Sequence, residues 1–316
     1  MCSAKRAWLP RDCDKAIAEE EERGLAEQKR SAGPPKAHVR LTGAGHRRAL
    51  QLVVLVPTKN RANQLGEAVS SAIRQTLQPG LIVVVGEKES DLRVLRESNS
   101  FLGAQLLLVL NHRTPNLSGA VNSGVLAILD QGFVPELTFI ALLDDDDAWE
   151  PRYLERCARL ARSGRIDWVL SGIIRHEAET TVGARLAIPQ NLTMSTFFRT
   201  NPHVQGSNLF VRLSTLLKAG CFDENLLSTT DRDICVRLLG LGNTRLGYLH
   251  EYHVHHRAMG SDRLSALGSL RKREGLRAFY AKYEPLMTES DKSAFIRRAH
   301  SLFGVAPGDF NAGVQD

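Results

Sequence analysis

The sequence predicts an α/β fold in which a mostly parallel central sheet is flanked by helices and followed by a helical C-terminal extension. Short apolar runs without polar alternation, such as residues 52–56 and 81–85, indicate strands that are buried on both faces. Segments with apolar residues at helical spacing lie between these runs. Strands that alternate with helices form parallel sheets, and 316 residues suffice for one large domain.

The first half of the chain alternates regularly between the two element types. Its first strand, 52–56, ends at Pro57, and the next helix ends before Pro79 and Gly80, which break regular structure. Further strands are predicted at 81–85, 106–110 and 137–143, and helices at 63–75, 91–97 and 118–129.

The second half is less regular. A strand is predicted at 168–174, and helices at 153–162, 214–219, 230–239, 266–283 and 291–302. Residues 189–198 show neither the helical nor the strand spacing of apolar residues, and they are interpreted as a loop that could receive a ligand. The chain is therefore divided into a charged, flexible N-terminal head (1–50), an α/β domain (51–261) and a basic helical C-terminal extension (262–316).

Positive charge is concentrated at the two ends of the chain, whose net charge is +6. Residues 1–50 hold 11 Lys or Arg against 7 Asp or Glu, and residues 262–300 hold 9 against 5. A nucleic-acid-binding protein carries its charge on the folded face that binds, so the neutral middle argues against nucleic acid. We hypothesise instead that the basic C-terminal helices touch an anionic membrane or the substrate, through Arg271, Lys272, Arg273 and Arg277.

The cysteines and the first residues indicate the compartment. Five scattered cysteines without a CxxC pair are typical of reduced thiols in the cytoplasm. No run approaches the roughly 18 apolar residues that span a bilayer, and residues 1–10 lack the apolar core of a secretion signal. We predict a cytoplasmic protein, peripheral at the membrane.

Four consecutive aspartates, residues 144–147, are the strongest chemical signal. They follow a predicted buried strand and precede Trp149 and Pro151. Ligands of open α/β sheets bind at the carboxyl ends of the strands. Four carboxylates packed there repel one another unless they share a cation, and their hard oxygen atoms suit Mn²⁺ or Mg²⁺. The sequence therefore predicts a divalent-metal site at this turn.

Five segments together carry a family resemblance. They are 53–61 (VVLVPTKNR), 116–124 (NLSGAVNSG), 144–146 (DDD), 206–212 with 220–224 (GSNLFVR, GCFDE) and 230–238 (TDRDICVRL). In this order they resemble the family 2 inverting glycosyltransferases of GT-A fold, which use nucleotide-diphosphate sugars. The resemblance covers residues 51–257 and implies a GT-A-like fold whose nucleotide-binding half is Rossmann-like.

The resemblance also implies roles for individual residues. Asp144 would face the ribose and the donor sugar, and Asp146 would bind the metal, with His255 reaching the metal or the diphosphate. Asp231 would be the general base that deprotonates the acceptor hydroxyl, and Asp233 stays open as the alternative. The residues implied to bind substrate or nucleotide are Pro57, Thr58, Asn60, Arg61, Glu87, Asn122, Asp144 and Asp145.

Three positions depart from the family pattern. Thr230 replaces a Glu, Val121 replaces an Arg, and Gly86 stands where an Asp would contact the nucleobase, so that Glu87 or Asp91 would substitute for it. The expected donor is a UDP- or dTDP-sugar, and the acceptor is an unknown glycan, lipid or small molecule.

Two alternatives are weighed beside the enzyme. The departures keep open a non-catalytic relative that binds sugar nucleotides or acts as a scaffold. A nucleotidylyltransferase would need a glycine-rich loop after the first strand, and residues 57–61 contain no glycine.

Overall fold

The computed structural model describes residues 50–98, 101, 103–178, 182–259 and 268–310. The predicted head, except Leu50, and the first residues of the C-terminal extension lie outside the described residues. Within the described part, no helix is both long and apolar enough to cross a membrane.

One mixed sheet organises the molecule. Its strands are β1 (Gln51–Thr58), β2 (Leu81–Gly86), β3 (Leu106–Leu110), β4 (Thr138–Leu142), β5 (Ala148–Trp149), β6 (Trp168–His176), β7 (Ala184–Leu186), β8 (Leu209–Arg212) and β9 (Leu246–Arg257). The strand order is β3-β2-β1-β4-β8-β6-β9-β5, with β7 on β6. Strands β1 to β4 are parallel, β8 runs antiparallel between β4 and β6, and β9 is parallel to β6. The predicted α/β class with a mostly parallel sheet is confirmed in the first half.

Helices cover both faces of this sheet. They are α1 (Ala62–Ile73), α2 (Glu89–Glu97), α3 (Leu117–Asp130), α4 (Tyr153–Gly164), α5 (Met194–Arg199), α6 (Leu213–Lys218), α7 (Thr230–Gly240), α8 (Leu270–Tyr283) and α9 (Glu289–Phe303). Alternate residues of β1 enter two separate cores. Val53 and Leu55 belong to the core that includes residues of α3 and α8, whereas Val54 and Val56 belong to the core that includes residues of α1, α2 and α4. An unbroken apolar strand is thus explained by burial on both faces.

The C-terminal helices α8 and α9 contribute to the hydrophobic core on one face of the sheet and do not form a separate layer. Phe279 on α8 and Phe295 on α9 are buried and stack with ring centroids 5.9 Å apart. The guanidinium of Arg232 on α7 lies 4.6 Å from the Phe279 ring centroid. Two of the four basic residues that were expected on the surface of these helices contribute less free positive charge to it. Arg273 is paired with Asp309 at 2.5 Å, and Lys272 faces inward.

Several elements differ from the sequence prediction. Strands β5, β7, β8 and β9 were not predicted, and residues 194–199 form helix α5 in the segment interpreted as a loop. Helix α5 is held by a reciprocal cap between Thr193 and Thr196, and its Phe197 and Phe198 are buried. Strand β9 escaped prediction because its polar residues are half-buried and its apolar residues are few.

Two helical glycines provide a matched test of packing. A Cβ at Gly119 in α3 would overlap the carbonyl oxygen of Thr114, whereas a Cβ at Gly66 in α1 would meet nothing within 4 Å. We expect Gly119→Ala to lower the free energy of unfolding by about 1–3 kcal/mol. Gly66→Ala is expected to raise it by about 0.5–1 kcal/mol, because alanine costs less chain entropy in a helix. Urea denaturation of both variants checks this, and equal effects would contradict the close approach at Gly119.

Candidate active site

The carboxyl ends of β1, β2 and β4 meet at one edge of the sheet. Thr58 at the end of β1 lies opposite Gly86 in β2, and Leu55 lies opposite Leu142 in β4. The loop 57–61 and the aspartate turn 144–147 are therefore neighbours, as the spacing in parallel strands requires.

Asp145 fixes the loop that follows β1. Its carboxylate accepts hydrogen bonds from Thr58 Oγ1 at 2.8 Å, from the Lys59 backbone N–H at 3.3 Å and from Arg61 Nη1 at 2.9 Å. The residue is only 4% exposed. Asp145 thus holds Thr58 and Arg61 at the edge, and Pro57 is buried in the strand before them.

Asp146 faces the same arginine from the other side. Arg61 Nη1 lies 2.9 Å from Asp146 Oδ2, so one guanidinium bridges Asp145 and Asp146. Burial, together with Asp147, raises the pKa of Asp146 to about 6, although Arg61 acts in the opposite direction. Although burial works against it, attraction to Asp146 and Asp145 raises the pKa of Arg61. The turn is therefore short of positive charge even with Arg61 in place.

Asp144 is the aspartate of the turn whose carboxylate is least stabilised by neighbouring groups. Its backbone N–H donates to Ser207 Oγ at 3.0 Å, but no hydrogen bond to its carboxylate is found among the described residues. Its Oδ1 would lie 2.7 Å from a Cβ at Gly206, so only glycine leaves room there. Burial, followed by repulsion from Asp147 and Asp231, raises the pKa of Asp144 well above its usual range.

Asp147 is structural. It is fully buried and accepts hydrogen bonds from Ser207 Oγ at 2.6 Å and from the Arg257 backbone N–H at 2.9 Å. His256 Nδ1 lies 3.3 Å from its carboxylate. Asp147 thereby ties the end of β9 and the segment 206–208 to the turn.

His256, and not His255, reaches the aspartates. His255 pairs with Ala148 in β5, and its ring nitrogens lie 2.7 Å from Glu150 Oε1 and 2.9 Å from His176 Nε2. Successive residues of a strand point to opposite faces, which sends His256 to Asp147. Burial lowers the pKa of His256, but the hydrogen bond and charge of Asp147 outweigh it and raise that pKa overall. His256 is therefore the histidine that contacts the aspartate turn, whereas His255 contacts Glu150 and His176.

Asp231 and Asp233 lie in different surroundings. Asp233 is fully buried and accepts hydrogen bonds from Arg237 Nη2 at 2.6 Å, from Lys282 Nζ at 2.6 Å and from Tyr283 Oη at 2.7 Å. Asp231 is instead close enough to Asp144 to raise the pKa of that carboxyl. Burial raises the pKa of Asp231 itself to about 6, although Lys272 and His256 oppose the shift. Of the two aspartates, Asp231 is the one whose charge acts on the pKa of Asp144 in the turn.

The two carboxylates expected to contact the nucleobase, those of Asp91 and Glu87, have different surroundings. The carboxylate of Asp91 is 2% exposed and accepts hydrogen bonds from the backbone N–H groups of Asn60, Glu87 and Lys88, at 3.0 and 3.1 Å. It therefore positions Asn60, which has φ 58°, and caps α2. Glu87 is only partly buried, and its Oε1 accepts a hydrogen bond from Asn111 Nδ2 at 3.0 Å.

Gly86 cannot be replaced by the expected aspartate without rearrangement. A Cβ at this position would lie 2.9 Å from Leu92 Cγ and 3.2 Å from Asp91 Cβ. The start of α2 therefore packs directly on the end of β2 and leaves no room for a larger side chain. Of the two candidates for the nucleobase contact, Glu87 is the one whose carboxylate is not used by the backbone.

Asn122 is buried, and its side chain is bound by the protein itself. Its amide exchanges hydrogen bonds with the backbone of Phe222, at 2.8 and 3.0 Å, and donates to Glu224 Oε1 at 2.7 Å. Both ends of the amide are thus used to hold the segment 220–224 against α3. The neighbouring Val121 is buried in the core.

The donor set fits a divalent cation. Among the described residues, no three His, Cys, Asp or Glu side chains form a complete metal cage. Asp144 and Asp146 nevertheless offer hard oxygen atoms whose charge is poorly compensated, as the raised pKa values of both carboxyls indicate. Mg²⁺ and Mn²⁺ accept one or two protein carboxylates and take their other ligands from substrate phosphates and water.

The fold and this edge define a GT-A-like glycosyltransferase. The family model Glycosyl transferase family 2 matches residues 53–217, just over half of the chain. The chain belongs to this family. No curated protein matches it.

Solved structures show the same fold at low identity. TarS from S. aureus in complex with UDP-GlcNAc is 16% identical with a TM-score of 0.59, over 84% of this chain and 76% of that chain. The mannosyltransferase PcManGT from Pyrobaculum calidifontis, in complex with GDP-Man and Mn²⁺, is 14% identical with a TM-score of 0.53, over 84% and 79%. Another TarS structure has 15% identity and a TM-score of 0.57, and the alignment covers 84% of this chain but 46% of that one.

Proposed function

We propose that this chain is a metal-dependent inverting glycosyltransferase that moves a sugar from a UDP- or dTDP-sugar to an acceptor hydroxyl. The observation that carries the proposal is the electrostatic repulsion between Asp231 and the aspartates of the turn 144–147, which indicates that they lie close together. A base for the acceptor and an acidic site for the donor diphosphate are thereby adjacent, as a single in-line displacement requires.

Asp231 is proposed as the general base. A general base works best when its pKa lies near the operating pH, and the pKa of Asp231 is raised by burial to about 6. Asp233 is unsuited to this task, because its oxygen atoms already accept hydrogen bonds from Arg237, Lys282 and Tyr283. An acceptor hydroxyl beside Asp231 would lose its proton to Oδ1 or Oδ2 as it attacks the anomeric carbon.

The donor is proposed to lie over the loop after β1. Thr58 and Arg61 are fixed there by Asp145, and Glu87 stands at the end of the neighbouring strand. Asp144 and Asp146 would hold Mn²⁺ or Mg²⁺. When bound, the cation supplies Lewis-acid stabilisation of the leaving diphosphate. Arg61 would remain near the same phosphate oxygens as a fixed positive charge.

Thermal unfolding with nucleotides tests the proposal without an acceptor. We expect one of UDP, dTDP, GDP and CDP to raise the unfolding midpoint in the presence of Mn²⁺. A ligand at a hundredfold excess over its dissociation constant adds about 2.7 kcal/mol to the stability. Asp146→Asn should abolish the Mn²⁺-dependent part and unfold no earlier than the wild type without ligand, because it removes a repelled carboxylate.

The control is Asp130→Asn, which changes an exposed aspartate at the end of α3. It should retain the full shift. The absence of a shift with every nucleotide would contradict the proposal and favour the non-catalytic relative.

A further inference from the structure

Thr229, the residue before α7, has an unusual backbone conformation. Its φ of 66° and ψ of 16° lie in the left-handed region. A β-branched side chain is strained there, and glycine or asparagine is the usual occupant. Strained residues persist where the surrounding structure holds them, and they cluster at active sites. Thr229 lies two residues before Asp231, the proposed base.

The conformation of Thr229 departs from that of the threonines that precede two other helices. Thr193 before α5 and Thr288 before α9 have φ values of −122° and −70°, and the side chain of each caps its helix by accepting a backbone hydrogen bond. Among the described residues, no backbone N–H of α7 donates to the Thr229 side chain in this way. The first turn of α7, which carries Asp231, therefore lacks the ordinary cap.

The backbone of α8 holds this turn in place of a cap. Gly275 lies in the interior of α8, and a Cβ there would be 2.6 Å from the backbone nitrogen of Ser228 and would overlap its side chain. A glycine inside a helix costs stability, and this close approach explains its presence. Ser228 Oγ donates to the Lys272 carbonyl oxygen at 3.4 Å, and the Thr229 hydroxyl lies 3.4 Å from the carbonyl oxygen of Gly275. Ser228 and Thr229, both buried, are thus packed directly against α8.

Helix α8 is also bound to α7 on the other side of Asp231. Lys282 Nζ and Tyr283 Oη donate to the carboxylate of Asp233 at 2.6 and 2.7 Å. Of the first four residues of α7, Asp231 is the one that is partly exposed, and the other three are buried. The chain is therefore held by α8 both before and after Asp231, whose own side chain stays accessible to a substrate.

The backbone angle at Thr229 sets the direction in which α7 begins. A return of Thr229 to the negative φ of the other two threonines would change the angle between the first turn of α7 and the residues before it. The carboxylate of Asp231, two residues further on, would move with that turn. Displacing a catalytic group by about 1 Å can lower a rate by about 10²-fold.

We propose that Gly275 and Thr229 are positioning residues for Asp231. The close approach of α8 at Gly275 keeps Thr229 in the left-handed conformation, and that conformation sets the place of the Asp231 carboxylate beside the acceptor hydroxyl. The C-terminal extension is thus part of the catalytic assembly and acts through α7. The inference rests on the proposed function, because it assumes that Asp231 is the base.

Turnover and donor binding of the full chain, measured side by side in Gly275→Ala, test the inference. Turnover is the release of nucleotide from the sugar nucleotide. Binding is the Mn²⁺-dependent rise of the unfolding midpoint with whichever of UDP, dTDP, GDP and CDP stabilises the wild type. We expect kcat to fall by about 10–10²-fold, with the KM for the donor and the midpoint shift unchanged. Gly66→Ala adds a Cβ to a helical glycine with open space around it and should leave kcat, KM and the shift as they are.

Two substitutions of Thr229 separate positioning from ordinary helix stability. Glycine takes a positive φ without strain, so Thr229→Gly should retain most of the turnover. Valine has the shape of threonine but lacks its hydroxyl and is strained at positive φ, so Thr229→Val should lose turnover as Gly275→Ala does. Thr288→Val removes the cap of α9 and should lower the unfolding midpoint while kcat stays unchanged.

The inference is overturned if Gly275→Ala or Thr229→Val binds the nucleotide and turns over like the wild type, or if Thr229→Gly is as slow as Thr229→Val. Should Gly275→Ala fail to bind the nucleotide, the two variants of Thr229 decide. Normal turnover in Asp231→Asn would instead overturn the assignment of the base. Failure of the wild type to bind any of the four nucleotides would overturn the proposed function itself.

Discussion

Replacing Asp231 by asparagine is expected to slow sugar transfer by about 10²–10⁴-fold while donor binding is retained. The amide keeps the shape of the side chain but cannot take the proton of the acceptor hydroxyl. The variant should be no less stable than the wild type at pH 7. Since burial raises the pKa of Asp231 to about 6, the folded state disfavours its charge, and any stability from the neutral form is lost as the pH rises through 6.

Release of the nucleotide from the donor measures this effect. The donor is the nucleotide sugar whose nucleotide stabilises the protein, and the same thermal shift in Asp231→Asn shows that the donor site is intact. Asp130→Asn again serves as the control on the surface. Turnover that survives in Asp231→Asn would contradict its assignment as the base.

The choice between Asp231 and Asp233 illustrates what the sequence cannot decide. Two residues apart on a helix, their side chains point in directions about 200° apart, so only one can face the acceptor. The sequence does not say which, because the answer depends on Lys282 and Tyr283 from α8. These residues lie about 50 positions away in the sequence and donate hydrogen bonds to the buried Asp233.

The parallel half of the fold was predictable because its strands are buried on both faces. Residues 106–110 form β3 as predicted, and β1 and β2 are longer than the predicted strands by three residues and one residue. In the other half, β8 is only 4 residues long, and the mostly half-buried residues of β9 give no unbroken apolar run. Local pattern identifies a strand only when burial is uniform or strictly alternating.

The contacts of a candidate site residue were predictable where the ends of parallel strands place it. Thr58, Arg61 and the aspartate turn follow directly from the ends of parallel strands. His255 and His256 are consecutive residues of β9, so their side chains lie on opposite faces of the sheet. The sequence does not show which of the two faces the aspartate turn. The hydrogen bonds of Asn122 could not be predicted, because its partners Phe222 and Glu224 lie about a hundred residues away.

Asp233→Asn is expected to lower the free energy of unfolding by about 3–5 kcal/mol, the usual cost of removing one partner from a buried ion pair. Arg237 and Lys282 both have side chains that are 9% exposed, and Asp233 is fully buried between them. The amide oxygen can still accept hydrogen bonds, but it carries no charge to balance the buried Arg237 and Lys282, of which Lys282 retains Asp223 as a partner at 2.6 Å. The loss therefore arises mainly from desolvated positive charge.

Urea denaturation of Asp231→Asn and Asp233→Asn separates chemistry from structure in one helix. Both substitutions remove one negative charge from the first turn of α7, so any effect on the helix dipole is shared between them. We expect only Asp233→Asn to lose stability, and only Asp231→Asn to lose turnover at a temperature where both are folded. Equal destabilisation by the two would contradict the buried network around Asp233, since the helix end would then account for the whole loss.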